Sequence, residues 1–491
     1  MQLSSFLFLI FLFLVIIFNY LIPRRFRWIW LLVVSYLFCI YADPKYAVVL
    51  AGVTAISYTA GILIKGASDR KRKKLWLILG VVFLVAPLFV TKYLNFSIGI
   101  LNDILQVLHR PANFPGIKIL LPIGISFYTF QALSYLFDVH NDVIEPERNP
   151  GRYALYLAFF PKLISGPIER GGNLLPQIFD PKPFDYQRLL DGLVRIGWGF
   201  FKKLIVADRL GVIVDKVFYA PGDFRNPVIL VAVVAYSLQI YIDFSAYCDI
   251  AIGAAKILGI DLMENFNTPY FATSITDFWR RWHISLTSWL RDYIFTPLNF
   301  ATRRKRSKFY QYINILIVFL VSGLWHGANY TFIIWGVLHG LYQVIELATQ
   351  KVRNGIVNRF SINRESFGHR FFQITGTFLL VTFTWIFFRA ENIHVAEKII
   401  KSLFSFKDLG LSFAWNLTAT GLPLPDILIM VFGLIILIIF EVAGRKQDLI
   451  KELNSQPLAF RWLVYLALIF AVILFGYFGV YTIDSFIYAQ F

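Results

Sequence analysis

Long apolar runs separated by short polar loops recur from one end of the chain to the other. Most runs approach the roughly 20 residues that an α-helix needs to cross a bilayer core about 30 Å thick. The pattern predicts membrane-spanning helices over residues 5–22, 28–43, 46–65, 75–94, 117–138, 190–215, 227–256, 310–327, 330–349, 371–389, 424–442 and 460–482.

Two further apolar stretches are interrupted by charged residues or by proline and glycine, at 153–167 and 276–298. Irregular backbone persists at membrane depth only where protein or a cavity surrounds it, so both are predicted to be re-entrant or interfacial. Plotted at about 100° per residue, the second stretch reads as an interfacial helix with one aromatic face. His283 lies on the edge of that face.

Composition supports a membrane protein. Of the 491 residues, 57% are hydrophobic and 16% are charged, whereas soluble domains average about 25% charged residues. We therefore expect an all-α polytopic membrane protein with one membrane-embedded domain over 1–491. The first segment, 1–22, lacks a basic start and a cleavage site, which favours a first span over a removed signal peptide. Cys39 and Cys248 lie in apolar stretches and are interpreted as buried hydrophobic residues.

The net charge of +17 does not indicate nucleic-acid binding, because the basic residues gather in short loops between spans. Basic clusters follow the first span at 23–27 and the third at 65–74, whereas the loop at 42–45 is nearly neutral. The positive-inside rule then predicts a cytoplasmic-membrane protein with an extracytoplasmic N-terminus. It also places 303–308 inside. That would put the whole stretch 276–309, with His283, at the cytoplasmic face.

Among the seven histidines, His326 has the most unusual setting, between two apolar runs in a Trp-His-Gly stretch. Ionisable groups within the membrane are costly and therefore mark functional sites. A desolvated, neutral imidazole can act as a base near pH 7. The alternative for His326 is a histidine that only bonds two helices together. For His283 a structural role is equally open, and for His339 it is preferred. The other histidines are interpreted as solvated: His109, His140, His369 and His394.

A second polar group lies within the span 227–256. Asp243 and Tyr247 share one helix face, while Asp249 and Lys256 share another. Carboxylates within a span require partners or water. They could line a polar tunnel, hold a histidine, or pair with an arginine of the interfacial segment. The sequence contains no Gly-rich phosphate loop, HExxH, metal-binding Cys/His set or G-x-S-x-G elbow.

Several motifs together resemble the membrane-bound O-acyltransferase family, in the branch of the alginate O-acetyltransferase membrane subunit. They are Phe278–Leu286 followed by Trp289–Tyr293, Gly323–Gly327, Trp335–Gly340, Leu121–Gln131, Pro161–Arg170, Tyr241–Ser245 and the C-terminal Ser485–Phe491. After Leu298 the chain departs from the Gly-Gly-Asn-Arg-like continuation of alginate-type members, so the acceptor polymer stays open.

The resemblance implies roughly 11–12 spans and re-entrant helices around a central tunnel, with His326 as catalytic histidine and His283 as the second. It implies an acetyl thioester donor, expected to be acetyl-CoA, and no bound cofactor. It also implies an extracytoplasmic partner of the SGNH-hydrolase type and a polysaccharide acceptor: an alginate-like polymer, peptidoglycan or another wall polymer. Arg280 and Arg281 are candidates for holding donor phosphates, and Trp325 and Asn329 for stabilising the oxyanion.

Two alternatives remain at this stage. The first keeps the fold and transfers D-alanine from a carrier protein to teichoic acid, as in a sister branch. The second is a transporter that moves an acyl group or a polysaccharide without chemistry, for which the acidic residues in predicted spans are the support. The chain shows no internal repeat of the kind found in common transporters.

Overall fold

The protein is described here from a computed structural model, which describes residues 3–110, 114–117, 122–224, 226–303, 307–405, 417–445, 447–478 and 486. Parts of several predicted features lie outside these residues: 118–121 of the fifth predicted span, 304–306 of the basic stretch, 479–482 of the last predicted span, and 485 and 487–491 of the C-terminal motif.

The described residues are helical and contain no strand, as the all-α prediction requires. They include nine helices long and apolar enough to cross a membrane, which confirms a multi-pass membrane protein. These nine are Arg24–Ala42, Pro44–Gly66, Arg70–Lys92, Asn226–Ile257, Lys308–His326, Tyr330–Ala348, Phe367–Arg389, Leu424–Gly444 and Leu458–Phe475. The first predicted span corresponds to a shorter apolar helix, Phe6–Leu21.

Two predicted spans differ from the structure. The one over 117–138 corresponds to a helix of 16 residues, Ile125–His140, which begins at Gly124 with a left-handed backbone (φ 74°). The one over 190–215 is divided by a π-helical segment, Phe201–Ala207, which carries two adjacent lysines. Neither is among the nine candidate spans of the described residues, and both stay predictions.

Contacts divide the chain into two compact units, and the prediction of a single domain stays a prediction. Of the described residues, the first unit contains those within 3–196 and 250–263. Its helices are Phe6–Leu21, Arg27–Ala42, Pro44–Gly66, Arg70–Lys92, Leu94–Val107, Ile125–His140, Pro150–Ala158 and Gly171–Phe179.

In the first unit, the predicted re-entrant stretch 153–167 consists of the end of a short helix and a 3-10 turn, Phe160–Lys162, and is almost entirely buried. The Lys162 ammonium donates to the side-chain oxygen of Gln131. The Glu169 carboxylate accepts from the Met263 backbone N–H at 2.6 Å and the Asn173 amide at 2.7 Å. The buried Lys162 and Glu169 side chains are therefore held by specific partners, as burial requires.

The second unit contains residues 197–249 and 264–487. Helices Tyr186–Phe200 and Asn226–Ile257 contribute residues to both units. The other α-helices of the second unit are Asp208–Tyr219, Ile275–Arg281, Ile284–Leu290, Thr296–Thr302, Lys308–His326, Tyr330–Ala348, Gln350–Arg359, Phe367–Arg389, Ile393–Leu403, Leu424–Gly444, Leu449–Ser455 and Leu458–Phe475.

The predicted interfacial helix over 276–298 is not one regular helix. It breaks at Trp282 and His283, between Ile275–Arg281 and Ile284–Leu290, and continues through a π-helical turn, Arg291–Phe295. Its aromatic face packs inside the second unit, where Trp282 is 1% exposed. The periodic pattern thus identified a buried face and missed the break.

Candidate active site

A helical hairpin of the second unit, Lys308–His326 and Tyr330–Ala348, carries the first candidate histidine. Asn329 ends the connection and caps the second helix, since its side-chain oxygen accepts from the Thr331 backbone N–H at 3.1 Å. We call this pair of helices the histidine hairpin.

Two glycines let the helices of the histidine hairpin approach backbone to backbone. A Cβ atom added at Gly336 would lie 2.4 Å from the Phe319 carbonyl oxygen and 3.3 Å from the Gly323 Cα. Small residues at a crossing permit this closeness in membrane helices. The crossing brings His326, three residues after one glycine, against Trp335, which precedes the other.

His326 is the last residue of its helix and is only 2% exposed. Four aromatic rings surround its imidazole, with ring centroids 4.9 Å away for Trp325 and Phe388, 5.0 Å for Trp335 and 6.4 Å for Phe332. We call these four residues the aromatic enclosure. It separates the imidazole from water, as the sequence predicted for this position.

His283 lies at the break between two short helices, fully buried and with a left-handed backbone (φ 42°, ψ 55°). Left-handed backbone is uncommon for residues other than glycine and is found most often at functional sites. Its ring centroid lies 6.0 Å from that of Trp325. The two candidate histidines therefore both contact Trp325.

Asn265 determines which nitrogen of His283 carries the proton. The Asn265 Oδ1 accepts the Ser285 backbone N–H at 3.2 Å, while its Nδ2 donates to the Cys248 sulfur at 3.3 Å. Since Oδ1 is an acceptor, the His283 Nδ1 at 3.3 Å has to be the donor. Burial lowers the pKa of His283 to about 3, so the neutral ring keeps its lone pair on Nε2.

His339 is fully buried and engaged at both nitrogens. Its Nδ1 accepts from the Trp279 indole N–H at 3.3 Å, and its Nε2 lies 2.8 Å from the Thr384 hydroxyl. That hydroxyl donates to the Val381 carbonyl at 2.7 Å, so the Nε2 of His339 is the donor to it. These bonds agree with the structural role preferred for His339.

The acidic group of the helix Asn226–Ile257 pairs with the two lysines of the π-helical segment. The Lys203 ammonium lies 2.7 Å from Asp243, and the Lys202 ammonium lies 2.9 Å from Asp249. Among the described residues, the ion-pair partners shown are these lysines rather than the arginine or histidine that the sequence suggested. Tyr247 is fully buried against Phe486. That these residues line a tunnel stays a prediction.

The candidate donor-binding residues have mixed surroundings. Arg280 is exposed, whereas the Arg281 guanidinium bonds Asp277 on the same short helix at 2.9 Å. The Asn329 amide donates to the Glu391 carbonyl at 2.7 Å, so part of its donor capacity is already used. Trp325 lies in the aromatic enclosure.

The structure separates His283 from the basic stretch with which the sequence had grouped it. His283 contacts Trp325, which lies seventeen residues after Lys308 in one helix, a distance of about 26 Å at 1.5 Å per residue. The expectation that both lie together at one face is therefore wrong.

Sequence reasoning missed Asn265 and Trp335 as parts of this site. Asn265 lies in a loop 18 residues before His283, and no spacing rule connects the two. Trp335 resembles any other core tryptophan until the glycine crossing is seen.

Comparison with known proteins identifies the family and several relatives of this chain. The sequence model of the membrane-bound O-acyltransferase family matches residues 125–388. A probable alginate O-acetylase of Pseudomonas putida is 40% identical over 84% of this chain and 81% of its own length. A peptidoglycan O-acetyltransferase of Helicobacter pylori is 33% identical over 80% of this chain and 76% of its own. A teichoic acid D-alanyltransferase of Bacillus subtilis is 27% identical over 64% and 78%.

Proposed function

This chain belongs to the membrane-bound O-acyltransferase family, and from that premise we propose that it moves an acetyl group from a cytoplasmic thioester, acetyl-CoA, toward an extracytoplasmic polysaccharide. The observation that carries this proposal is the pair of buried histidines that both contact Trp325, one of them inside the aromatic enclosure.

The donor binds with its nucleotide toward the cytoplasm and its acyl group at the aromatic enclosure. The exposed Arg280 guanidinium is the proposed phosphate contact, since arginine suits phosphate. The basic residues 304–306 are the alternative phosphate contact to Arg280, and they lie outside the described residues. Because His326 is 2% exposed, rings of the aromatic enclosure have to move when the acyl group enters.

His326 acts as the general base in the proposed reaction. It takes the proton of an acceptor hydroxyl while the hydroxyl oxygen attacks the thioester carbonyl carbon. The tetrahedral intermediate then breaks its C–S bond, and the thiolate that leaves takes the proton from His326. Ester and free thiol are the products, and the histidine ends neutral. Through its Nε2 lone pair, His283 accepts a hydrogen bond from the acyl donor or from the acceptor hydroxyl next to Trp325.

The acceptor hydroxyl belongs to a polysaccharide or to a relay group on an extracytoplasmic partner of the SGNH-hydrolase type. An alginate-like polymer and peptidoglycan are the first candidates, because the relatives named for these polymers are the more similar ones. D-alanyl transfer from a carrier protein is the second candidate function, supported by the more distant D-alanyltransferase.

The test uses the purified full-length protein in lipid vesicles. Release of free thiol and formation of acetyl ester are measured with acetyl-CoA and, in parallel, with D-alanyl carrier protein, each with alginate or peptidoglycan fragments. We expect activity with acetyl-CoA and its loss in His326→Ala. His394→Ala is the matched control, because that side chain is 88% exposed. Activity with only the D-alanyl donor, or an active His326→Ala variant, would reject the proposal.

A further inference from the structure

The histidine hairpin contains a buried donor that none of its described neighbours uses. Trp335 is fully buried, and its indole Nε1 has no hydrogen-bond partner among the described residues. Buried polar groups in native proteins nearly always have partners, and an exception calls for an explanation such as a catalytic role. An indole N–H can only donate, so its missing partner has to be an acceptor.

Trp335 is placed where an acceptor would arrive. Its ring contacts the His326 ring at 5.0 Å, nearly perpendicular at 87°. The glycine crossing fixes this contact. Trp335 directly precedes Gly336, where the two helices pack backbone to backbone. An acyl group that reacts beside His326 would therefore react next to this indole ring.

Two other donor groups in this region are already engaged. The Asn329 amide donates to Glu391, and the protonated nitrogen of His339 donates to Thr384. Two hydroxyls of the hairpin, Ser322 and Thr331, are also buried without a partner among the described residues. Ser322 lies one turn before His326 and Thr331 one turn before Trp335, so each shares a helix face with the residue it precedes.

We propose that the Trp335 indole N–H binds the carbonyl oxygen of the acyl donor and stabilises the oxyanion of the tetrahedral intermediate. The assignment rests on the proposed acyl-transfer function and names a catalytic residue for it in place of Trp325 and Asn329. As the thioester carbon becomes tetrahedral, its oxygen gains negative charge, and a donor already in position needs no reorganisation.

The experiment compares Trp335→Phe with Trp385→Phe in the full-length protein in vesicles. Phenylalanine keeps an aromatic ring and removes only the N–H and one ring of the indole. Trp385 is the matched control, because its ring stacks on that of Trp335 at 5.8 Å and is likewise fully buried, but it is not one of the four rings of the aromatic enclosure. Turnover is measured with whichever thioester the wild-type protein uses, acetyl-CoA or D-alanyl carrier protein, since both present a carbonyl.

We expect Trp335→Phe to lower kcat roughly 100- to 1000-fold, the loss typical of one oxyanion donor, with KM changed less than about threefold. Trp385→Phe should keep kcat within about threefold of wild type. Thermal unfolding in detergent reports whether each variant is folded. Equal kcat in wild type and a folded Trp335→Phe overturns the assignment, as does an equal loss in both variants.

These outcomes separate the two proposals. If the wild type uses only the D-alanyl donor and Trp335→Phe still loses turnover, the acetyl assignment fails and the Trp335 assignment stands. If acetyl-CoA is used and Trp335→Phe is fully active, the acetyl assignment stands and the Trp335 assignment fails. A wild-type protein that turns over neither thioester overturns both.

Discussion

At the scale of single residues, the buried histidines differ in how their protons are fixed. His283 is held by one amide oxygen that also binds a backbone N–H. His339 is held between an indole and a hydroxyl. The difference matters, because only a ring with an available lone pair can accept a proton or a hydrogen bond from substrate.

Asn265 should control the charge of His283. In Asn265→Asp a carboxylate faces the ring N–H, favours imidazolium and raises the pKa of His283. Below the raised pKa the lone pair on Nε2 is lost, so the acid limb of the kcat/KM profile should move to higher pH. Asn265→Ala should lower kcat by about tenfold or more at every pH without moving that limb. The measurement is thiol release from acetyl-CoA between about pH 5 and 9, which includes the ordinary histidine pKa.

Asn267→Asp is the control for this prediction, because Asn267 is an exposed residue of the same loop. The same acid-side shift in Asn267→Asp, or coincident profiles for the two Asn265 variants, would show that Asn265 does not act through the His283 proton.

Prediction of single residues from the sequence succeeded where placing an ionisable group in an apolar segment costs free energy. His326 stood out because a histidine between apolar runs is expensive, and it is indeed buried. Asn265 could not be found in this way, since an asparagine in a polar loop costs nothing until the loop folds over a histidine. The lysine partners of Asp243 and Asp249 were missed for a related reason: they lie in a segment interpreted as one continuous span.

At the scale of helices, the glycine crossing of the histidine hairpin decides whether His326 and Trp335 meet. In Gly336→Ala the new Cβ would lie 2.4 Å from a backbone carbonyl, so the helices have to separate. Overpacking of this kind costs about 1–3 kcal/mol. We expect a lower thermal midpoint and at least about a tenfold loss of kcat, because small misplacements at an active site are costly.

Gly376→Ala provides a matched comparison within the helix Phe367–Arg389. No atom lies within 4 Å of the added Cβ, and alanine favours a helix over glycine by about 1 kcal/mol. This variant should be at least as stable as wild type and fully active. A Gly336→Ala protein with an unchanged midpoint and unchanged kcat would contradict the role of the crossing.

Periodicity predicted helices well and their breaks poorly. The apolar runs of the histidine hairpin were bounded within two residues at each end, since Ser307 and Asn329 cap its helices. The break at His283 had no comparable signal, because neither Pro nor Gly marks it and a left-handed histidine is set by tertiary contacts. The π-helical segment Phe201–Ala207 was hidden similarly, as its two lysines are paired within the fold.

At the scale of the whole molecule, the nine candidate spans differ in how much protein covers them. The most apolar window of Asn226–Ile257 is 72% buried, whereas that of Leu458–Phe475 is 0% buried. The first is therefore a core helix, and the second has a surface suited to lipid. Hydropathy does not distinguish these two cases, because both sequences are apolar enough to span a membrane.

Orientation can be tested on the two ends of Pro44–Gly66, whose 23 residues extend about 34 Å. Lys45→Cys and Lys71→Cys replace exposed lysines on either side of this helix, in a background where the buried Cys39 and Cys248 are alanine. The positive-inside rule predicts labelling of the first by a membrane-impermeant thiol reagent in intact cells. The second should react only after the cells are opened, and the reverse pattern would invert the predicted topology.

The length of the helix that ends at His326 has a consequence for the choice of donor. Its two ends lie about 27 Å apart, so a coenzyme whose nucleotide was bound at the Lys308 end, rather than by Arg280, would have to deliver its acyl group to His326 on a slender, extended arm. The phosphopantetheine chain shared by coenzyme A and acyl carrier proteins has that form. The length of this arm would then select among thioester donors. A truncated mimic without the nucleotide would lose its phosphate contacts but could still place its acyl group in the aromatic enclosure.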